Sequence, residues 1–197
     1  YDSDYLHKSL ADSKFDDVSI YDCTSQWGVF SIAGPKSRNF LKKLVVSEDP
    51  DKTLSNKQFP WLSYRDIEIG MCPVRALRVA YTGELGWELH HPIEMQNYLL
   101  DILLSSGEEF NLKLVGARAQ NWLRQEKSYK AFGSDLGRDA GPFESKLSRF
   151  VDINKNFLGK DALLKRKTDV SCVTLLIDGP KDIDPWGREA LYNETED

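Results

Sequence analysis

Residues 65–92 read RDIEIGMCPVRALRVAYTGELGWELHHP, and the fold class turns on them. Apolar side chains alternate through Ile67 and Ile69, break at Gly70, and resume at Val74, Leu77 and Val79. That period of two predicts a β-hairpin over residues 65–80. The chain breaks again at Gly83 and Gly86 and resumes as a strand at Trp87, with Trp87 and Leu89 on one face and Glu88 and His90 on the other. Upstream, Val18 and Ile20 and then residues 27–32 (WGVFSI) predict two short strands around a turn at Thr24 and Ser25, after a helix over residues 5–10. Gly34 and Pro35 open a helix whose apolar face is Phe40, Leu41 and Leu44, with Lys42 and Lys43 near its end. Residues 46–58 are a polar surface loop with room for one helical turn.

Downstream, Met95, Tyr98, Leu99, Ile102 and Leu103 predict an amphipathic helix ending near Gly107. Ala119, Trp122, Leu123 and Glu126 predict another over residues 116–128. A Gly-rich loop (FGSDLGRDAGP), a strand near residues 150–153, a helix over 160–167 and a strand over 173–177 complete the reading. Hairpins mixed with helices argue for an α+β fold rather than a doubly wound parallel sheet. The chain shows no internal repeat and no low-complexity tract.

Of 197 residues, 41% are hydrophobic and 29% charged, the composition of a globular protein with a sizeable core. The 26 basic and 31 acidic side chains leave a net charge of −5, which disfavours nucleic acid and anionic membrane as partners. Cys23, Cys72 and Cys172 are odd in number and widely spaced, so they describe no disulfide framework and fit a reducing compartment. No apolar run is long enough to span a bilayer. Because Tyr1 stands where an initiator Met would, the chain reads as a piece of something longer or a processed product.

No metal site is expected. His90 and His91 are adjacent on a strand and face opposite ways, while Asp182 and Asp184 lack the glycine and closing glutamate of a calcium loop. Nucleophile elbows, P-loops and dinucleotide fingerprints are absent. Glu88 draws attention because it sits between two core-like residues. Either it grips the donor edge of a ligand bidentately, or it is a half-exposed carboxylate paired with a Lys or Arg, and spacing alone favours the second. Arg124 reads either as an anchor for an anionic ligand or as a partner of a residue three or four positions away on its own helix. Tyr129 and Phe132 could stack on a flat heterocycle, although aromatics so spaced are more often core.

Taken in order, WGVFSIAGPKSR, LSNKQFPWLSYRDIEIG, VRALRVAYTGELGWELHHP, WLRQEKSYKAFGSDL, GPFESKL and FLGKDALL resemble the folate-binding aminomethyltransferase family, which includes the glycine-cleavage aminomethyltransferase. Within it the chain is most similar to the C-terminal region of dimethylglycine and sarcosine dehydrogenases. The resemblance runs from about residue 21 to 164, reaching towards 186. It implies part of a three-lobed α+β fold around a folate cavity. Residues 1–168 would be the folate-binding region without its N-terminal lobe, and 169–197 the start of a truncated C-terminal β lobe.

The implied activity is one-carbon transfer from an iminium or aminomethyl donor to tetrahydrofolate, giving 5,10-methylenetetrahydrofolate, during oxidative demethylation or glycine cleavage. The resemblance places Glu88 against the amino-pyrimidine edge of the pteridine, Tyr81 and Glu84 in the same pocket, Arg124 as an aid in fixing the ligand, and Phe132 on the cavity wall. The family's catalytic Asp falls upstream of Tyr1, so this chain alone would lack the proton-handling carboxylate. FAD would belong only to an upstream domain of the parent. The chain departs from the family's EKGYRHWG at residues 126–133 and from PLEAGL at residues 142–147, where Lys146 replaces a glycine. Two other functions stay open: a non-catalytic regulatory subunit, like the relative that regulates pyruvate dehydrogenase phosphatase, and a folate-dependent demethylase of another methylated donor. The location implied is cytoplasmic, or the mitochondrial matrix in a eukaryote.

Overall fold

The computed structural model describes residues 2–137, 140–166, 170–179, 185, 187 and 189–192. Asp182, Asp184 and Trp186 lie outside the described residues. The elements are α1 (Asp2–Ala11), β1 (Trp27–Ala33), α2 (Ser37–Leu44), α3 (Pro50–Thr53), β2 (Tyr64–Ile69), β3 (Cys72–Leu77), β4 (Gly86–Pro92), α4 (Gln96–Gly107), α5 (Ala117–Glu126) and α6 (Lys160–Lys165). They fall into two compact units, Tyr1–Tyr129 and Lys130–Asp197. The fold is α+β, as the alternation and the hairpin predict.

The first unit is built on a four-stranded antiparallel sheet ordered β1-β4-β3-β2. Gly70, at φ +58°, makes the tight β2–β3 turn that the sequence marks. On its inner face the sheet presents Ile32, Ile69, Val74, Ala76, Trp87 and Leu89, all nearly inaccessible to water. Phe40 and Leu41 of α2, Leu99 and Leu103 of α4, and Leu54 and Phe59 of the connection close over them. Each such aliphatic side chain contributes about 1.5–3 kcal/mol by leaving water. The β1–α2 junction is pinned where Gly34 N–H and Ser37 Oγ both donate to Leu85 O, at 2.8 and 2.9 Å, fixing the segment that leads into β4. Buried His91 stacks on Phe30 with ring centroids 4.8 Å apart, and its Nδ1 lies 2.9 Å from Leu89 O.

Three expected strands do not form. Val18 and Ile20, residues 150–153 and residues 173–177 acquire no ladder; Ser148–Phe150 is instead a short 3-10 turn. A strand needs a neighbour to accept its backbone groups, and within the described residues none lies alongside. The helix over residues 5–10 does form, as α1, but it buries no residue. α5 forms where its periodicity predicts, yet Trp122 is exposed and Arg124 is the residue it buries.

In the second unit Glu144 is the organising side chain. It is buried, ion-paired with Arg166 Nε, and its carbonyl accepts from Cys172 N–H at 2.8 Å. Its own backbone N–H, followed by Arg166, holds the carboxyl below the usual carboxylate range against the opposing effect of burial. Lys146 adopts φ +58°, with Lys146 N–H bonded to Phe143 O and Leu147 N–H to Pro142 O, the bond pair of a Schellman motif. The turn that a glycine suits is thus built on a lysine.

Candidate functional site

β4 carries Glu88 on the outer face of the sheet. Its register sets Glu88 beside Ser31 of β1 and Leu77 of β3, and the next outward residue, His90, beside Val29 and Arg75. Two residues apart on one face, Glu88 and His90 meet: Oε2 is 3.2 Å from Nε2, with side chains 38% and 30% exposed. Glu88 is therefore half-buried and its partner is a histidine rather than the Lys or Arg of the plain strand reading. Among the described residues its other oxygen, Oε1, has no hydrogen-bond partner.

Tyr81 and Glu84 precede β4 in a turn that packs on the C-terminal end of α5. The Tyr81 and Tyr129 rings lie 6.3 Å apart at 30°, and Lys127 Nζ is 3.9 Å from Glu84 Oε1. Gly83, at φ +71°, rests on the Lys127 side chain so closely that an added Cβ would come within 2.4 Å of its Cγ.

Arg124 lies under this contact, 3% exposed. Its Nε and Nη2 donate to Asn121 Oδ1 at 2.8 and 2.6 Å, and Nη1 donates to Tyr129 O at 2.8 Å. Its partner on the helix is three positions back, within the range the sequence suggests, but the side chain is buried rather than on the surface. Ser128, at φ +57°, completes a second Schellman motif: Tyr129 N–H reaches Arg124 O at 2.9 Å, and Ser128 N–H reaches Gln125 O at 2.8 Å.

Tyr81, Glu84 and Arg124 thus gather at the end of α5, while Glu88 stands on the open sheet face with His90. Phe132 belongs to the second unit and is 88% exposed, in a turn where Gly133 N–H donates to Leu136 O. His90 is the residue that sequence reading did not single out for the site, although its two-residue spacing from Glu88 on a strand was the available signal. No group of three or more His, Cys, Asp or Glu that could hold a metal occurs among the described residues. His90 and His91 do face opposite ways, one half-exposed and the other fully buried.

The comparisons with known proteins agree with this architecture. Residues 1–155 match the family described as GCVT N-terminal domain, and the chain belongs to that family. Human dimethylglycine dehydrogenase, mitochondrial, is 40% identical over 185 residues, covering 89% of this chain and 20% of that protein. Mouse sarcosine dehydrogenase, mitochondrial, is 30% identical over 191 residues, covering 95% of the chain and 20% of the relative. The aminomethyltransferase of Caldanaerobacter subterraneus subsp. tengcongensis is 35% identical over 151 residues, covering 76% and 39%. This is an aminomethyltransferase-like domain related to the dimethylglycine and sarcosine dehydrogenases, and it spans about a fifth of their length. No helix among the described residues is long and apolar enough to cross a membrane.

Proposed function

We propose that this chain contributes the Glu88 side of a tetrahydrofolate site, in a protein that passes a one-carbon unit from a methylated amine to the folate. The observation that carries the reading is the Glu88 carboxylate, half-buried on a sheet face, held by His90 through Oε2 and, among the described residues, without a hydrogen-bond partner at Oε1. A carboxylate so placed accepts N–H donors from a flat amino-pyrimidine edge without first breaking an ion pair to Lys or Arg. Tetrahydrofolate, when bound, supplies the nitrogens that take up the one-carbon unit.

The chain's own residues bind and orient. Glu88 accepts from the pteridine edge, and Tyr81 and Glu84 shape the adjoining wall. Arg124 acts through Tyr129, whose carbonyl it grips and on whose ring Tyr81 stacks. The mitochondrial names of the dehydrogenase relatives support a matrix location in a eukaryote.

The test is a titration of the purified protein carrying this sequence with tetrahydrofolate, read by quenching of tryptophan fluorescence. Saturable quenching is expected, with Glu88→Ala weakening it roughly tenfold or more, the loss of a charge-assisted hydrogen-bonded pair. Wild-type protein that shows no binding at 1 mM, on the order of the weakest useful ligand affinity, would falsify the assignment.

A further inference from the structure

One corner of the first unit gathers positive charge that no carboxylate among the described residues balances. Arg38, in the first turn of α2, sets its guanidinium over the Trp87 indole, with Cζ 5.9 Å from the ring centroid, and its Nη2 donates to Asn56 Oδ1 at 2.6 Å. Arg78, just past β3, donates from Nη1 to Phe59 O at 2.6 Å, and the Phe59 ring meets the same indole edge-on with centroids 6.2 Å apart. Trp87 itself is fully buried near the start of β4. Residues from α2, the β3–β4 connection and β4 are thus assembled around one indole, at the end of the sheet where β3 stops and β4 begins.

Three donors in this corner have no acceptor. Arg38 Nε, Arg78 Nε and Trp87 Nε1 are out of reach of solvent, and none has a hydrogen-bond partner among the described residues. Neither guanidinium is ion-paired with a carboxylate there, and Lys36, two residues before Arg38, and Lys57, beside Asn56 in the chain, also lack an acidic partner. Burial, and after it the charge of Arg38, draws the Arg78 guanidinium below its ordinary value, so the two cations feel each other. Two guanidiniums brought together in this way carry a cost of desolvation and repulsion, and the unmade hydrogen bonds add to it.

The guest that removes this cost is defined by charge and by direction. Water answers the N–H groups and leaves both charges unbalanced. A carboxylate brings one negative charge and is matched best by two parallel bonds from a single guanidinium. A phosphoryl group brings about two negative charges and three strong acceptor oxygens, which suits donors arriving from three separate elements. We infer that this corner binds a phosphoryl group, held between Arg38 and Arg78 with the Trp87 indole N–H as a third donor. The inference stands on this corner alone and does not rest on the folate reading, because Glu88 lies on the opposite face of the sheet from the buried Trp87 ring.

The experiment is titration of the protein with inorganic phosphate at neutral pH and constant ionic strength, followed by 1H–15N NMR at the Trp87 indole, with sodium acetate as the singly charged comparison. Saturable shifts are expected for phosphate, with acetate binding more weakly and Arg38→Gln weakening phosphate roughly tenfold. Arg78→Gln should act likewise; because Arg78 also holds Phe59 O, its folding is checked by circular dichroism, and Arg38→Gln decides the matter where it does not fold. Lys42→Gln, on the same helix but paired with Asp51, should bind phosphate as the wild type does, and so should Glu88→Ala. A Trp87 signal unmoved by about 10 mM phosphate overturns the inference, since that is roughly ten times a millimolar dissociation constant. Acetate binding as tight as phosphate, wild-type affinity in Arg38→Gln, or an equal loss in Lys42→Gln overturns it too. Phosphate binding without tetrahydrofolate binding leaves this inference standing and sinks the folate assignment; the reverse result sinks this inference alone.

Discussion

The guanidinium of Arg124 donates to the carbonyl of Tyr129, five residues further on, at 2.8 Å, and thereby clamps the end of α5 to the segment that follows it. The same side chain holds Asn121 through two more bonds. A buried cation whose donors are spent on the protein's own oxygens is a positioning group. Replacing it leaves those oxygens without donors in a place where water does not reach. Arg124→Met is expected to cost about 2–3 kcal/mol of stability in urea unfolding. Arg124→Lys should recover little, because a point ammonium cannot serve Asn121 and Tyr129 together. Full stability in the lysine variant would show that charge alone suffices.

Lys146 tests the cost of a left-handed turn built without glycine. Its side chain is exposed and its φ is +58°. Lys146→Gly should stabilise the second unit by about 1 kcal/mol: the left-handed penalty of about 1–2 kcal/mol, less the entropy glycine adds to the unfolded chain. Thermal unfolding is the measurement, and a lowered midpoint would mean that the lysine is making contacts that outweigh the strain.

Glu144 predicts an acid limit. Its carboxyl is held below the ordinary value of 4.5, so the unfolded chain binds the proton more tightly than the folded one. The stabilisation is therefore complete above pH 4.5 and is lost as the pH falls through the lower folded-state value. Stability of the second unit, followed by NMR or circular dichroism, should be level above that point and decline below it. Glu144→Gln should be less stable at neutral pH and show a shallower acid decline; an unchanged slope would place the titration elsewhere.

Gly28 has no room for a side chain. A Cβ there would lie 2.6 Å from His91 Nε2 and 2.8 Å from Gln96 Oε1, and His91 is fully buried against Phe30. Gly28→Ala should cost about 1–3 kcal/mol through forced repacking. A wild-type unfolding midpoint for this variant would show that the His91 ring is free to move.

The sequence by itself determined the α+β class, the β2–β3 hairpin and the two faces of β4. Period-two alternation and a glycine break are local signals, and burial of one face makes register obligatory. The gathered motifs likewise carried the family. Tertiary structure decided the rest. Whether Glu88 pairs with a cation, a histidine or nothing depends on how β1 and β3 flank it. Whether Arg124 reaches a ligand or its own backbone depends on the path of residues 127–129. Residues 173–177 have strand-forming side chains and no strand, because a ladder is a property of two segments and no local pattern supplies the second. The corner around Trp87 is the plainest case: its buried donors come from positions 38, 78 and 87, and only the packing of α2 and the β3–β4 connection on the sheet brings residues so far apart in the chain to one place.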